Sequence, residues 1–285
     1  MLPKRVDEIV QSVTRFRPMP SNVTRILREI EKPNITIGLL VSLISLDQAL
    51  AALVLQMSNS ASLGYARTCS TLYEAIMHIG LDRLKTILLT SSATDILKCS
   101  LIGYRLGAGE LWHHSLVTAV AAEWLAQALR YPNPEEAYVS GLLHDMGKLL
   151  LDQFVLEDYK MVVDSVQQNQ LQLWEVEEKL IGIDHASVGG LIAERWNYPV
   201  VLVDAIRFHH RPALAGTNQK LPAIVNLADS FADDYQLTAS ELFNTKIHPE
   251  SLNILKLDAE GVEKLKVGMK ASGRFPDFSK NGSVI

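Results

Sequence analysis

A histidine and an aspartate stand side by side at His144-Asp145, between the apolar runs Leu142-Leu143 and Leu149-Leu150-Leu151. Two such groups are costly to bury unpaired, and a metal ion satisfies both at once. Imidazole combined with carboxylate suits Zn, Fe, Mn or Ni better than Ca or Mg. Taken alone, the dipeptide reads equally well as a structural pair, the histidine bonding a carbonyl and the aspartate capping a helix. The rest of the chain sharpens the metal reading. His114 lies upstream, and His185, the pair His209-His210 and Asp229 lie downstream, each in a predicted helix or at a helix end. Asp229 falls among Val225, Leu227, Ala228 and Phe231, where a carboxylate needs a partner. Adjacent side chains on a helix diverge by about 100°. His209 and His210 would therefore serve two ions, or one ion and a substrate, unless they simply make a polar helix end. His78 and His248 have no such companions and read as structural or surface residues.

The elements that carry these residues are helical. Val6, Ile9, Val10 and Val13 repeat at helical spacing, as do Val23, Ile26, Leu27 and Ile30 before Pro33. Segments 37–46 and 48–57 follow, with Asp47 a candidate N-cap between them. Residues 58–64 are turn-rich. The period resumes at Leu72 and stops at Gly80, and a further long helix spans 81–97. Gly103, Gly107 and Gly109 mark a boundary. Glu110 and His114 then share a face at i,i+4. Asn133-Pro134-Glu135-Glu136 reads as a helix start that leads into His144-Asp145. Gly147 either bends or ends that helix. Helices are expected at 156–168 and 173–181, at 185 onward with Asp184 as N-cap, at 201–210 and at 221–234. A short one is expected around Val262, Leu265 and Met269, and the segment from Gly273 on reads as a poorly ordered tail. No strand alternation is evident, so the expected fold class is all-α.

Composition narrows the setting. The chain has 285 residues, 48% of them hydrophobic, enough for one large domain or two smaller ones. Its net charge of −5 and pI of about 5.9 argue against general nucleic-acid or anionic-membrane affinity. Cys69 and Cys99 make neither a disulfide framework nor a Cys-type zinc site. No apolar run approaches the roughly 18 residues of a membrane span, and no secretory core follows Met1. No membrane association and a cytoplasmic location are the expectations.

The ordered series His114, His144-Asp145, His185, His209-His210, Asp229 resembles the ligands of the HD superfamily of metal-dependent phosphohydrolases, above all its HD-GYP branch. Four stretches of the N-terminal half resemble the HDOD family: Met19-Pro20, the segment 44–50, Ser58-Asn59-Ser60-Ala61, and the segment 74–80. HDOD proteins are bacterial, helical, HD-related signalling or output modules, and the likeness runs from about Phe16 to about Asp234. The resemblance implies an N-terminal helical HDOD subdomain over 1–105, an HD-type metal-binding helical subdomain over 106–250 and a partly disordered C-terminal extension over 251–285. It favours His114 over His113 as the ligand. It implies two divalent transition-metal ions, Fe or Mn ahead of Zn or Ni, with Asp145 bridging them. His114, His144 and Asp229 would hold one ion, and His185, His209 and His210 the other. Glu110 matches a glutamate that binds an additional metal in some HD-GYP proteins, or is a first-turn acid favoured by the helix dipole. Lys148 resembles the lysine that contacts the substrate phosphate, or is a lysine whose stem lies along apolar surface.

The Gly-Tyr-Pro segment is absent: His209-His210 is followed by Arg211-Pro212-Ala213. Hydrolysis of cyclic di-GMP is therefore not expected. The reading is a metal-binding signalling module with a protein partner or a nucleotide messenger. A working phosphohydrolase, with Asp145 and Lys148 in catalysis, is the alternative. A di-iron oxygenase is a third, because some HD-fold proteins use the same ligands for oxidation.

Overall fold

The computed structural model describes residues 2–16, 19–59, 69–169, 171–216, 218–232 and 245–274. Among these the chain is all-helical, with no strand beyond an isolated bridge between Leu101 and Leu106. Two compact units are distinct, one formed by residues 17–95 and the other by residues 1–16 with 96–285. The division falls at Asp95/Ile96, and the glycine-rich segment 103–109 lies inside the larger unit.

The unit of residues 17–95 contains α2 (Ser21–Ile30), α3 (Ile37–Ile44), α4 (Gln48–Ser58) and most of α5 (Leu72–Leu97). Its interior is the stripe expected from the periodicity: Val23, Ile26 and Ile30 with Leu40, Ile44, Val54, Ile76 and Leu88, all buried. Asp47 caps α4 by accepting the Leu50 amide at 3.1 Å, and Asn22 Nδ2 donates to its second oxygen at 2.6 Å. Gly80, with φ 75° and ψ 171°, interrupts α5 in a region that glycine alone populates freely. Of the turn expected at 58–64, Ser58 ends α4 and Asn59 caps it, while the remainder lies outside the described residues.

The larger unit begins with α1 (Leu2–Arg15) and resumes at the end of α5. It continues through α6 (Glu110–Ala128), α7 (Pro134–Leu143), α8 (Lys148–Asn169), α9 (Leu173–Leu180), α10 (His185–Arg195), α11 (Val200–Arg207), α12 (Lys220–Ala232), α13 (Pro249–Leu255) and α14 (Ala259–Ala271). Helix α12 is its centre, buried from Leu221 through Asp229 and packed on α6 and α7. No helix is long and apolar enough to cross a membrane, among the described residues. The expected helix at 156–168 is the second half of the longer α8. Helix α13 was not legible in the hydrophobic pattern; His248 caps it, Nδ1 accepting the Glu250 amide at 3.3 Å. The tail beyond Arg274 lies outside the described residues.

Candidate metal centre

Five elements deliver the histidines and aspartates. Helix α6 carries His114. Helix α7 ends at Leu143, and the turn that follows carries His144 and Asp145 before α8 starts at Lys148. Helix α10 opens on His185, the turn after α11 carries His209-His210, and α12 carries Asp229. Close approach between the first two depends on Gly141: a Cβ there would stand 2.8 Å from the Thr118 carbonyl of α6. The α7–α8 break depends on Gly147, where a Cβ would stand 1.9 Å from the His185 carbonyl. The start of α10 thus packs directly against the break, at a position where only glycine fits. Asp184 caps α10, its Oδ1 accepting the Ser187 amide at 2.6 Å.

The side chains converge. His114 Nε2 is 3.3 Å from His144 Nε2, 3.5 Å from Asp145 Oδ2 and 3.0 Å from Asp229 Oδ1. His144 Nε2 is 3.4 Å from Asp145 Oδ2 and 3.5 Å from Asp229 Oδ1. With metal–ligand bonds of about 2.1 Å, octahedral or tetrahedral angles separate neighbouring donor atoms by roughly 3.0–3.4 Å. The spacing of this group therefore fits one ion. A second group, His185, His209 and His210, brings its ligand atoms within 4.8 Å of one another, with His185 Nε2 and His210 Nε2 2.9 Å apart. Asp145 stands between the groups, with Oδ2 toward the first and Oδ1 3.2 Å from His185 Nε2. Every one of these residues is at most 6% exposed. His209 Nε2 and Asp229 Oδ1 are buried with no hydrogen-bond partner, although His114 Nε2 stands 3.0 Å from the latter. Unpaired buried polar atoms are costly, and an ion would satisfy both.

Ring orientation is set from behind. The Nδ1 atoms of His144 and His209 donate to the Gly141 and Ile206 carbonyls, each at 2.7 Å, which aims Nε2 of each ring at the cluster. His185 Nδ1 instead meets Glu177 Oε2 at 2.6 Å. Electrostatics follow. Burial alone would lower His144, but Asp145 and Asp229 outweigh it and raise it to about 10. His185 is raised to about 9, burial being outweighed chiefly by Glu177. Burial, with His144 and His185 beside it, lowers His209 to about 3, and His210 is likewise held well below its ordinary value. Asp145 lies well below the usual carboxylate range: burial pushes it up, while His144 and Lys148 pull it down further. Asp229 is held low in the same way by His144 and His114.

Seven of the residues singled out from sequence meet here: His114, His144, Asp145, His185, His209, His210 and Asp229. Lys148 joins them, 4% exposed, with Nζ 2.6 Å from Asp145 Oδ2. Glu110 does not. Its Oε2 accepts the Gly107 amide at 3.1 Å, so it closes the start of its own helix and belongs to none of the ligand groups. Two residues gave no signal in the sequence. Glu177, wholly buried, accepts from the His185 ring and backbone and, at 2.7 Å, from the Tyr104 hydroxyl. In the run Glu175-Val176-Glu177-Glu178 nothing distinguishes it from its solvated neighbours.

A helical fold with buried histidines and carboxylates gathered around one aspartate defines an HD-type protein. The HDOD domain family matches residues 17–212, and the chain belongs to that family. A longer protein of Treponema pallidum (strain Nichols) is 28% identical over 207 residues, 72% of this chain; the match spans 38% of that relative. The crystal structure of an HDOD domain protein from Geobacter sulfurreducens superposes with a TM-score of 0.64 at 28% identity, covering 92% of this chain and 90% of its own. A candidate phosphohydrolase from Shewanella amazonensis shares the fold, with a TM-score of 0.69 at 24% identity over 93% of this chain and 94% of its own.

Proposed function

We propose that the chain is an HDOD signalling module built around two divalent transition-metal ions, with a protein partner or an anionic nucleotide messenger as its input. The carrying observation is Asp145, whose Oδ2 faces His114 and His144 while its Oδ1 faces His185. His114, His144 and Asp229 would hold the first ion, and His185, His209 and His210 the second. A nitrogen-rich donor set with a shared carboxylate supports a transition metal such as Fe over Mg. Asp145, Asp229 and Glu177 against Lys148 leave the buried cluster two charges negative, with the histidines neutral. Two divalent ions overshoot that by two, so an anion completes the centre.

One observation favours a second reading, a metal-dependent phosphohydrolase: the ligand set is whole. Bound ions would then supply Lewis acidity. Asp145 would hold their spacing, and Lys148 would offer the positive charge that a phosphate oxygen needs. One feature weighs toward the module: Lys148 Nζ is spent on Asp145.

Elemental analysis of protein purified without chelator tests the centre, with about two equivalents expected; none would end the metal reading. Metal-loaded protein offered linear and cyclic dinucleotides, nucleotides and an aryl phosphodiester, with Fe, Mn and Zn in turn, then separates the two. Absence of turnover supports the module. Turnover that disappears in Asp145→Asn supports the hydrolase.

A further inference from the structure

We infer that Glu177, clamped by Tyr104, is the positioning residue that builds the site of the second ion through His185, so that its loss weakens that ion and spares the first. The inference rests on the two-ion reading above. Glu177 is a carboxylate with no exposure and with both oxygens engaged. Oε2 accepts the His185 amide at 2.8 Å and the His185 Nδ1 at 2.6 Å, so one atom fixes both the start of α10 and the plane of the ring. Oε1 accepts the Tyr104 hydroxyl at 2.7 Å.

The two ligand groups differ in where their negative charge comes from. The first group has Asp229 to itself. The second holds three imidazoles and only a share of Asp145, so Glu177 is its own carboxylate, acting through a histidine instead of touching the ion. His144 and His209 make the corresponding Nδ1 bond to neutral carbonyls. A carboxylate in that place raises the basicity of the ligand nitrogen and fixes its tautomer. Tyr104 is itself held in place. It lies in the turn closed by the Leu101–Leu106 bridge, and Asp152 Oδ1 accepts the amides of Gly103 and Tyr104 at 2.8 and 3.3 Å. A Cβ at Gly103 would stand 1.9 Å from the Asp152 carbonyl, so the turn seats on α8 only with glycine there. The glycine-rich segment thus fixes the tyrosine that fixes the glutamate.

The test is stepwise titration of metal-free protein with Mn²⁺ and, separately, Co²⁺, whose visible spectrum reports the donor set of each ion. Wild type should take up two equivalents. Glu177→Gln keeps the shape and removes the charge, and the second ion should bind about 10- to 100-fold more weakly. The first should change by less than about threefold, and the cobalt spectrum that remains should match that of His210→Ala, which removes a ligand of the second site alone. Tyr104→Phe, which keeps the ring, should shift the same ion in the same direction by less, and this carries the test if Glu177→Gln fails to fold. Equal weakening of both ions, or of neither, overturns the inference, because a merely structural role would not choose between them. A wild type that takes up a single ion removes the two-ion reading itself, a distinguishable result.

Discussion

His144 and His185 are basic in the metal-free protein because carboxylates face them across a buried cluster, and the same carboxylates draw metal. A ligand imidazole must be neutral, so protons and metal compete. With His144 raised to about 10 and His185 to about 9, metal uptake at neutral pH should release protons, and apparent affinity should climb until the pH passes those values. Calorimetric titration in buffers of different ionisation enthalpy reads the release directly; a buffer-independent heat would contradict it. Stability carries the matching signature. Groups raised on folding contribute fully below their ordinary value of 6.5, and that contribution is lost as pH rises through 9 to 10. His209, lowered to about 3, does the reverse: its burial favours folding above 6.5, and that contribution is lost as pH falls. Metal-free protein should therefore resist urea best near pH 6.5 and lose stability on either side, and unfolding midpoints at about pH 5, 6.5 and 9 check this. Lys148 makes a second case. Removing one partner of a buried pair strands the other, at roughly 3 kcal/mol. Lys148→Met should cost less than that in metal-free protein, because His144 and His185 still face Asp145, and less again once ions neutralise Asp145, as the difference between the two denaturation curves will show.

Between the helices, the break at 144–147 matters most. Its turn carries His144 and Asp145 and leads to Lys148 at the start of α8, and α10 lies directly against Gly147. Gly147→Ala would set a methyl carbon 1.9 Å from the His185 carbonyl and 2.6 Å from the Gly189 amide, both backbone atoms that cannot swing aside. Overpacking of this kind costs about 3 kcal/mol, and the displacement acts on the spacing of Asp145 and His185, so metal affinity should fall with stability. Gly38→Ala is the control: nothing lies within 4 Å of its Cβ, and alanine in a helix gains about 0.5–1 kcal/mol. Equal stability of the two variants would remove the argument. The same turn shows what the sequence could and could not tell. Helical periodicity, Asp47 and Asp184 as caps and the glycine stop at Gly80 are local features, and each is found where it was read. The convergence of the candidate series was legible because its polar residues sat in apolar helices or at helix ends, in an order resembling the HD ligands. Whether Gly147 bent or ended its helix was not, since the answer depends on α10, which lies far along the chain. Glu177 was illegible for the same reason: its role exists only once Tyr104 and His185 approach it. Glu110 shows the converse, a helical spacing that suits a ligand but serves a cap.

All the proposed ligands belong to the unit of residues 1–16 and 96–285, and they come from helices separated by long stretches of chain. Ions bound there tie α6, the α7–α8 turn, α10, the end of α11 and α12 to one point. Anything that binds the folded state alone stabilises it, by about 2.7 kcal/mol at a free concentration a hundredfold above Kd. For a unit of this size that is a rise in melting temperature of about 5–10 °C. The gain should not be uniform. Helices that open only when the centre opens inherit the stabilisation, whereas helices that hold no ligand keep their own opening free energy. Hydrogen exchange with and without Mn²⁺ should therefore slow strongly in α6, α10 and α12 and leave α2, α3 and α4 of the unit of residues 17–95 unchanged. Asp229→Asn should erase most of the difference, because it strips the first ion of the one carboxylate that it does not share. Slowing of α2–α4 to the same degree as α12 would mean that the metal effect is not seated at these ligands.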